Sequence, residues 1–238
     1  AMSRRPLPDA ITLETPPVDV ALSINPRARR FTLRLNPPGH GATLTLPPRV
    51  PEVEIRQFLA RQSGWLAEAL SRQPGPVEMG DGASLPVAGE MVRVVIQPGP
   101  RRTPVLGEGC LSLSGLSAPG PRIAAWLKER ARARMAPMVQ FYAERLGREV
   151  AGIALKDTRS RWGSCSSAGR INLSWRLAMA PTEVQDYLCA HEAAHLVEMN
   201  HSSRYWAVLS NLMPGFERPR RWLRSEGPKL HAYRFESA

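Results

Sequence analysis

Apolar and polar residues alternate in short bursts over the first part of the chain. The runs VALSI (20–24), RRFTLRL (29–35) and ATLTLP (42–47) switch character at nearly every step, and NPPGHG (36–41) interrupts them with turn residues. A two-residue period punctuated by Gly and Pro predicts β-strands joined by tight turns. Residues 1–19 hold four prolines and no sustained period, which predicts a tail or an extended edge segment. Ala1 ahead of Met2 reads as a leftover of expression cloning and is kept out of the fold reading.

From Pro51 to Ser71 the period changes. Val53, Ile55, Phe58, Leu59, Trp65, Leu66 and Leu70 fall largely at helical spacing until QPGP (73–76) ends the run, so one helix is expected. ASLPVAG, MVRVVIQ and CLSLSGL, within 82–116, return to strand chemistry. SAPGP at 117–121 then predicts a domain boundary. Beyond it Ile123, Trp126, Leu127, Met135, Met138, Val139, Tyr142 and Leu146 form one helical stripe, with Pro137 predicting a kink and Gly147 a stop. Strands are expected over 153–177, where residues 171–177 alternate at every step. After Pro181, Thr182 with the acidic Glu183 and Asp186 opens an amphipathic helix. The sum predicts an α+β fold: an N-terminal tail (1–19), a β-rich region with one helix (20–119) and a second domain (120–238).

Composition narrows the class. Hydrophobic residues at 43% and charged residues at 22% fit a globular chain rather than a disordered one. No apolar run approaches the roughly 20 residues that cross a bilayer, and the start lacks the apolar stretch of a secretory signal, so no membrane partner and a cytoplasmic location are expected. Cys110, Cys165 and Cys189 are odd in number and include no CxxC pair, which argues against a disulfide framework or a cysteine metal cluster. The net charge is +11, and residues 121–238 carry 19 basic and 11 acidic groups. Such a field attracts nucleic acid, an anionic surface or acidic polypeptides. Because 29 of the 32 basic residues are arginine, a coding bias explains the excess equally well.

Chemistry concentrates in HEAAH. His191 and His195, four apart on the expected helix, project from one side toward one point, and Glu192 beside them is placed to act on water without ligating. Three fixed residues arise by chance in roughly one chain in thirty, so the motif alone only suggests a metal site. The clustering of three of the five histidines within 11 residues strengthens it. His201 is the expected third ligand of a catalytic zinc that leaves one position open, with Asn200 expected to take a left-handed conformation that folds the chain back. Glu198, seven residues after His191, is the competing ligand or else a supporting or surface group. With zinc activating water and Glu192 as general base, the arrangement predicts hydrolysis of a peptide bond.

The segments RSRWGSCSSAGRINLSWRLAMAP and VQDYLCAHEAAHLVEMNHSSRYWAVLSNLMPGF resemble the YgjP-like (DUF45) metallopeptidases of bacteria over residues 159–216. Those peptidases are related to the SprT-like and Wss1-like ones. The resemblance implies a zincin-type domain over 120–238 with one zinc ion on His191, His195 and His201, and Glu192 as catalytic residue. The RRFTLRL strand and the helix bearing Phe58 and Trp65 extend it more loosely toward the N-terminus. Ala193 and Tyr205 depart from the Leu and Phe usual there, and neither departure removes a ligand. The expected partner is a polypeptide, taken in extended form along strand 171–177 for endopeptidase cleavage. Two alternatives stay open. One is a nucleic-acid-associated protease acting on DNA-bound or crosslinked proteins through the basic C-terminal half; the other is a non-catalytic zinc-stabilised nucleic-acid-binding module. Arg159, Arg161, Ser164, Asn172 and Tyr205 are the candidates for stabilising a developing oxyanion.

Overall fold

In the computed structural model residues 7–236 are described, so the first six residues of the expected tail lie outside the described residues. The chain divides into two units, 1–75 and 76–238. In the first, the alternating runs become β1 (Ala10–Glu14), β2 (Pro17–Ile24), β3 (Thr32–Leu35) and β4 (Ala42–Leu46), in the sheet order β1-β2-β4-β3. Part of the proline-rich start is thus an edge strand, antiparallel to β2. The period of two buries Ala42, Leu44 and Leu46 on one face of β4. Helix α1 (Glu52–Ser71) adds Ile55, Leu59 and Leu66 to the same core.

The second unit begins with β5 (Val77–Glu78), followed by β6 (Ser84–Val87), β7 (Glu90–Gln97), β8 (Val105–Leu106) and β9 (Cys110–Ser114). The last four form a sheet in the order β6-β7-β9-β8. Its Leu85, Val94, Leu111 and Leu113 pack in one cluster with Ile123, Leu127 and Met135 of α2 (Pro119–Arg145). The sheet therefore shares its core with the C-terminal half. The Pro/Gly cluster at 117–121 lies inside this unit and opens a helix: Ala118 is left-handed at φ 46, and proline in the first turn leaves no helical hydrogen bond unmade. The helix runs on through Pro137 and stops where expected. Gly147, at φ 63, donates to the Glu144 carbonyl, and Arg148 donates to that of Ala143.

Three short strands follow, β10 (Gly152–Lys156), β11 (Gly163–Cys165) and β12 (Arg170–Ser174), in the order β10-β12-β11. Two expectations are corrected here. The strand expected through residue 177 ends at Ser174, and Trp175–Met179 is a 3-10 turn with all five residues buried. Also, β12 lies between two strands and is no edge, whereas β11 is an edge of this sheet. The chain continues as α3 (Thr182–Ala194), α4 (Ser203–Leu212), α5 (Glu217–Ser225), a 3-10 turn (Gly227–Ala232) and β13 (Tyr233–Arg234), which pairs with β5. No helix among the described residues is long and apolar enough to cross a membrane.

Candidate metal centre

Helix α3 buries Val184, Leu188, Cys189 and Ala193 in the core and turns His191 toward a cleft of about 430 Å³. His195 caps the helix, and tightened bonds from Leu196 to Ala193 and from Val197 to Ala194 end it. The chain then reverses through a bond from the Ser202 amide to the Asn200 carbonyl. Asn200 is not among the residues with positive φ, so the left-handed turn expected there is not used. Ser202 caps α4 by accepting from the Tyr205 amide, which fixes His201 one residue ahead of the cap.

The structure brings His191, His195 and His201 together with ligand nitrogens within 4.8 Å of one another. Nε2 of His191 and Nε2 of His201 are 3.3 Å apart. Two nitrogens on one tetrahedral zinc, each about 2.0–2.1 Å from it, stand about 3.3 Å apart, so this pair fits such an ion. Their neighbours fix the rings. Nδ1 of His191 lies 3.3 Å from the Tyr187 hydroxyl, and Nδ1 of His195 lies 3.0 Å from the Glu198 carbonyl oxygen. These contacts assign the outward nitrogen of each ring and leave Nε2 for a metal. Burial, with His195, His201 and Arg220 as lesser causes, pushes the His191 pKa down to about 3. Its imidazole is neutral at physiological pH, the form a metal requires.

His201 is the exposed member, and rings hold it. Its imidazole stacks on Trp206 at 5.6 Å and 24°, while Tyr205 meets it edge-on at 4.7 Å. Arg220 lies 4.3 Å over the other part of this platform, the Trp206 ring. Glu198 pairs with Arg204 at 3.1 Å, so its carboxylate is engaged away from the three histidines.

Glu192 is 3% exposed, and burial pushes its carboxyl up to about 8 against the opposing pull of Arg161. Its place depends on a glycine of the neighbouring strand. A Cβ on Gly163 of β11 would stand 2.3 Å from Oε1 of Glu192. Only the missing side chain lets strand and carboxylate approach this closely. Trp162, Gly163, Ser164 and Cys165 line one side of the cleft, and Tyr187, Met199 and Leu223 other parts of it. Burial raises the Cys165 thiol to about 11, which keeps it protonated and unreactive. His231 stands against Trp162 with ring centres 5.0 Å apart.

Among the oxyanion candidates, Arg161 and Ser164 line the cleft, and Asn172 donates to the Ser164 hydroxyl. Tyr205 is fully buried and donates to the His191 carbonyl at 3.0 Å, so its hydroxyl braces α3.

Residues 29–226 match the family described as YgjP-like, metallopeptidase domain. No curated protein matches the chain. Among solved structures the chain is similar to the crystal structure of the metallopeptidase zymogen of Pyrococcus abyssi abylysin. That likeness has 20% identity and a TM-score of 0.36, over 39% of this chain and 95% of the other.

Proposed function

The chain belongs to the YgjP-like metallopeptidase family, and from that premise we propose a zinc-dependent endopeptidase whose single ion is held by His191, His195 and His201. The observation that carries this reading is the convergence of three imidazole nitrogens within 4.8 Å, with the buried Glu192 next to the first of them. Zinc in that position supplies Lewis acidity toward water and toward a peptide carbonyl.

The chain's own residues do the rest. Glu192 takes a proton from the attacking water and passes it to the leaving amine, and burial, which raises its pKa, makes its carboxylate a stronger base for the first of these transfers. Tyr187 and the Glu198 carbonyl keep the imidazoles from rotating out of place. A substrate in extended form can pair its backbone with the edge strand β11, whose Gly163, Ser164 and Cys165 line the cleft. Pairing of this kind reads main chain rather than a terminus, which supports cleavage inside a polypeptide.

The test is metal analysis together with cleavage of a denatured protein by wild type and Glu192→Gln. Both proteins are expected to bind one zinc, and the variant to lose at least about a hundredfold in kcat. Product masses should report internal cuts. Full cleavage by the zinc-loaded variant would remove Glu192 from its role, and a wild type without zinc affinity would end the whole reading.

A further inference from the structure

Helix α5 reads ERPRRWLRS and serves two surfaces at once. Leu223 faces the cleft of the metal centre, whereas Arg220, Arg221 and Arg224 line a second recess of about 430 Å³ together with Glu217 and Ser225. We infer that this recess docks acidic side chains of the polypeptide substrate, at positions flanking the bond that is cut. The inference rests on the peptidase reading above and adds a substrate class to it.

The charge arrangement carries the argument. Positions 220, 221 and 224 put three guanidiniums on neighbouring parts of one helix, where like charges repel. Nearby arginines are paired: Arg218 with Glu183 at 3.6 Å and Arg204 with Glu198 at 3.1 Å. Among the described residues no ion pair engages Arg220, Arg221 or Arg224. Glu217 is the one carboxylate lining the recess. The recess therefore keeps an excess of planar, forked donors, the geometry that receives carboxylates in bidentate pairs. Arg220 is braced against Trp206 at 4.3 Å, so part of the receiving surface is already ordered.

Position selects the ligand. Cleft and recess share a helix of nine residues, about 13 Å long at 1.5 Å per residue. An extended chain advances about 3.3 Å per residue, so acidic residues within roughly four positions of the scissile bond reach the arginines. Because the same helix lines the cleft through Leu223, the ligand that meets these arginines is the one the cleft holds, which on the peptidase reading is a polypeptide.

The test uses two rhodamine-labelled peptides that share one cleavable centre, flanked by Asp and Glu in one and by Asn and Gln in the other. Binding is followed by anisotropy on zinc-loaded Glu192→Gln, with and without Arg221→Gln and Arg224→Gln together, and cleavage on proteins that retain Glu192. At low salt the acidic peptide should bind about tenfold tighter than the neutral one, and this ratio should approach one in 0.5 M salt or without the two guanidiniums. Wild type should show the same ratio in kcat/KM, carried by KM. Arg221→Lys with Arg224→Lys should keep part of the preference.

Equal binding of the two peptides overturns the inference, as does a preference that outlives both arginines. A short DNA duplex that displaces the acidic peptide at matched charge concentration reassigns the recess to nucleic acid. Acidic binding without cleavage of either peptide keeps the recess and removes the peptidase reading, so the two failures are distinguishable.

Discussion

A methyl group at Gly163 would stand 2.3 Å from the Glu192 carboxylate oxygen and 2.8 Å from the carbons behind it. No small rotation relieves contacts with three atoms of a buried side chain, so Gly163→Ala must displace Glu192 or the strand. A displacement near 1 Å at a reacting group costs roughly a hundredfold in rate. We expect that loss in kcat with zinc content unchanged, read by cleavage kinetics alongside metal analysis. His201 supplies a second prediction. It is exposed, and its orientation comes from stacking on Trp206, whereas His191 and His195 are held through Nδ1. Trp206→Ala should weaken zinc ten- to a hundredfold in competition with a chromogenic chelator, and Trp206→Phe should restore most of it. Unchanged affinity in the alanine variant would show that the stack does not orient the ligand. The histidine pair is legible in the sequence because one helical turn is a local rule. Gly163 and Trp206 are not, because their meaning depends on partners that only tertiary packing supplies.

Elements whose environment matches their local pattern are read correctly, as with α1, α2 and α3. The failures are places where burial overrides period. Residues 175–177 alternate apolar and polar like a strand, yet the polar member is itself buried. Arg176 is 7% exposed, pairs with Asp157 at 2.7 Å, and donates to the carbonyls of Leu230 and Tyr233 at 3.2 and 3.0 Å. Its guanidinium ties the 3-10 turn ahead of α3 to the C-terminal turn and strand. Arg176→Ala leaves those carbonyls without a donor, and should destabilise the fold by about 2–4 kcal/mol in urea unfolding, partly screened because Asp157 is half-exposed. Arg176→Lys should recover only part of this, since an ammonium lacks the planar fork. The SAPGP cluster misleads for a related reason. Prolines and glycine suit the first turn of a helix as well as a linker, and only the apolar faces of β6, β7 and β9 show which use applies.

At the scale of the chain, two separate apolar clusters imply two separately stabilised units. One cluster draws on Val20, Leu44, Leu46, Ile55 and Leu59, all before residue 76, and the other on residues after it. Every residue of the candidate centre belongs to the second. Perturbations should therefore sort by unit. Leu44 is fully buried in the first core, and Leu44→Ala should cost about 2–5 kcal/mol there through lost transfer energy and a cavity. Zinc at a hundredfold excess over its Kd should add about 2.7 kcal/mol to the unit that binds it. Scanning calorimetry should then resolve two transitions, one lowered by Leu44→Ala at any zinc concentration and one raised by zinc in wild type and variant alike. If both perturbations moved a single shared transition, the units would fold as one cooperative body, and the first core would be contributing directly to the stability of the metal centre.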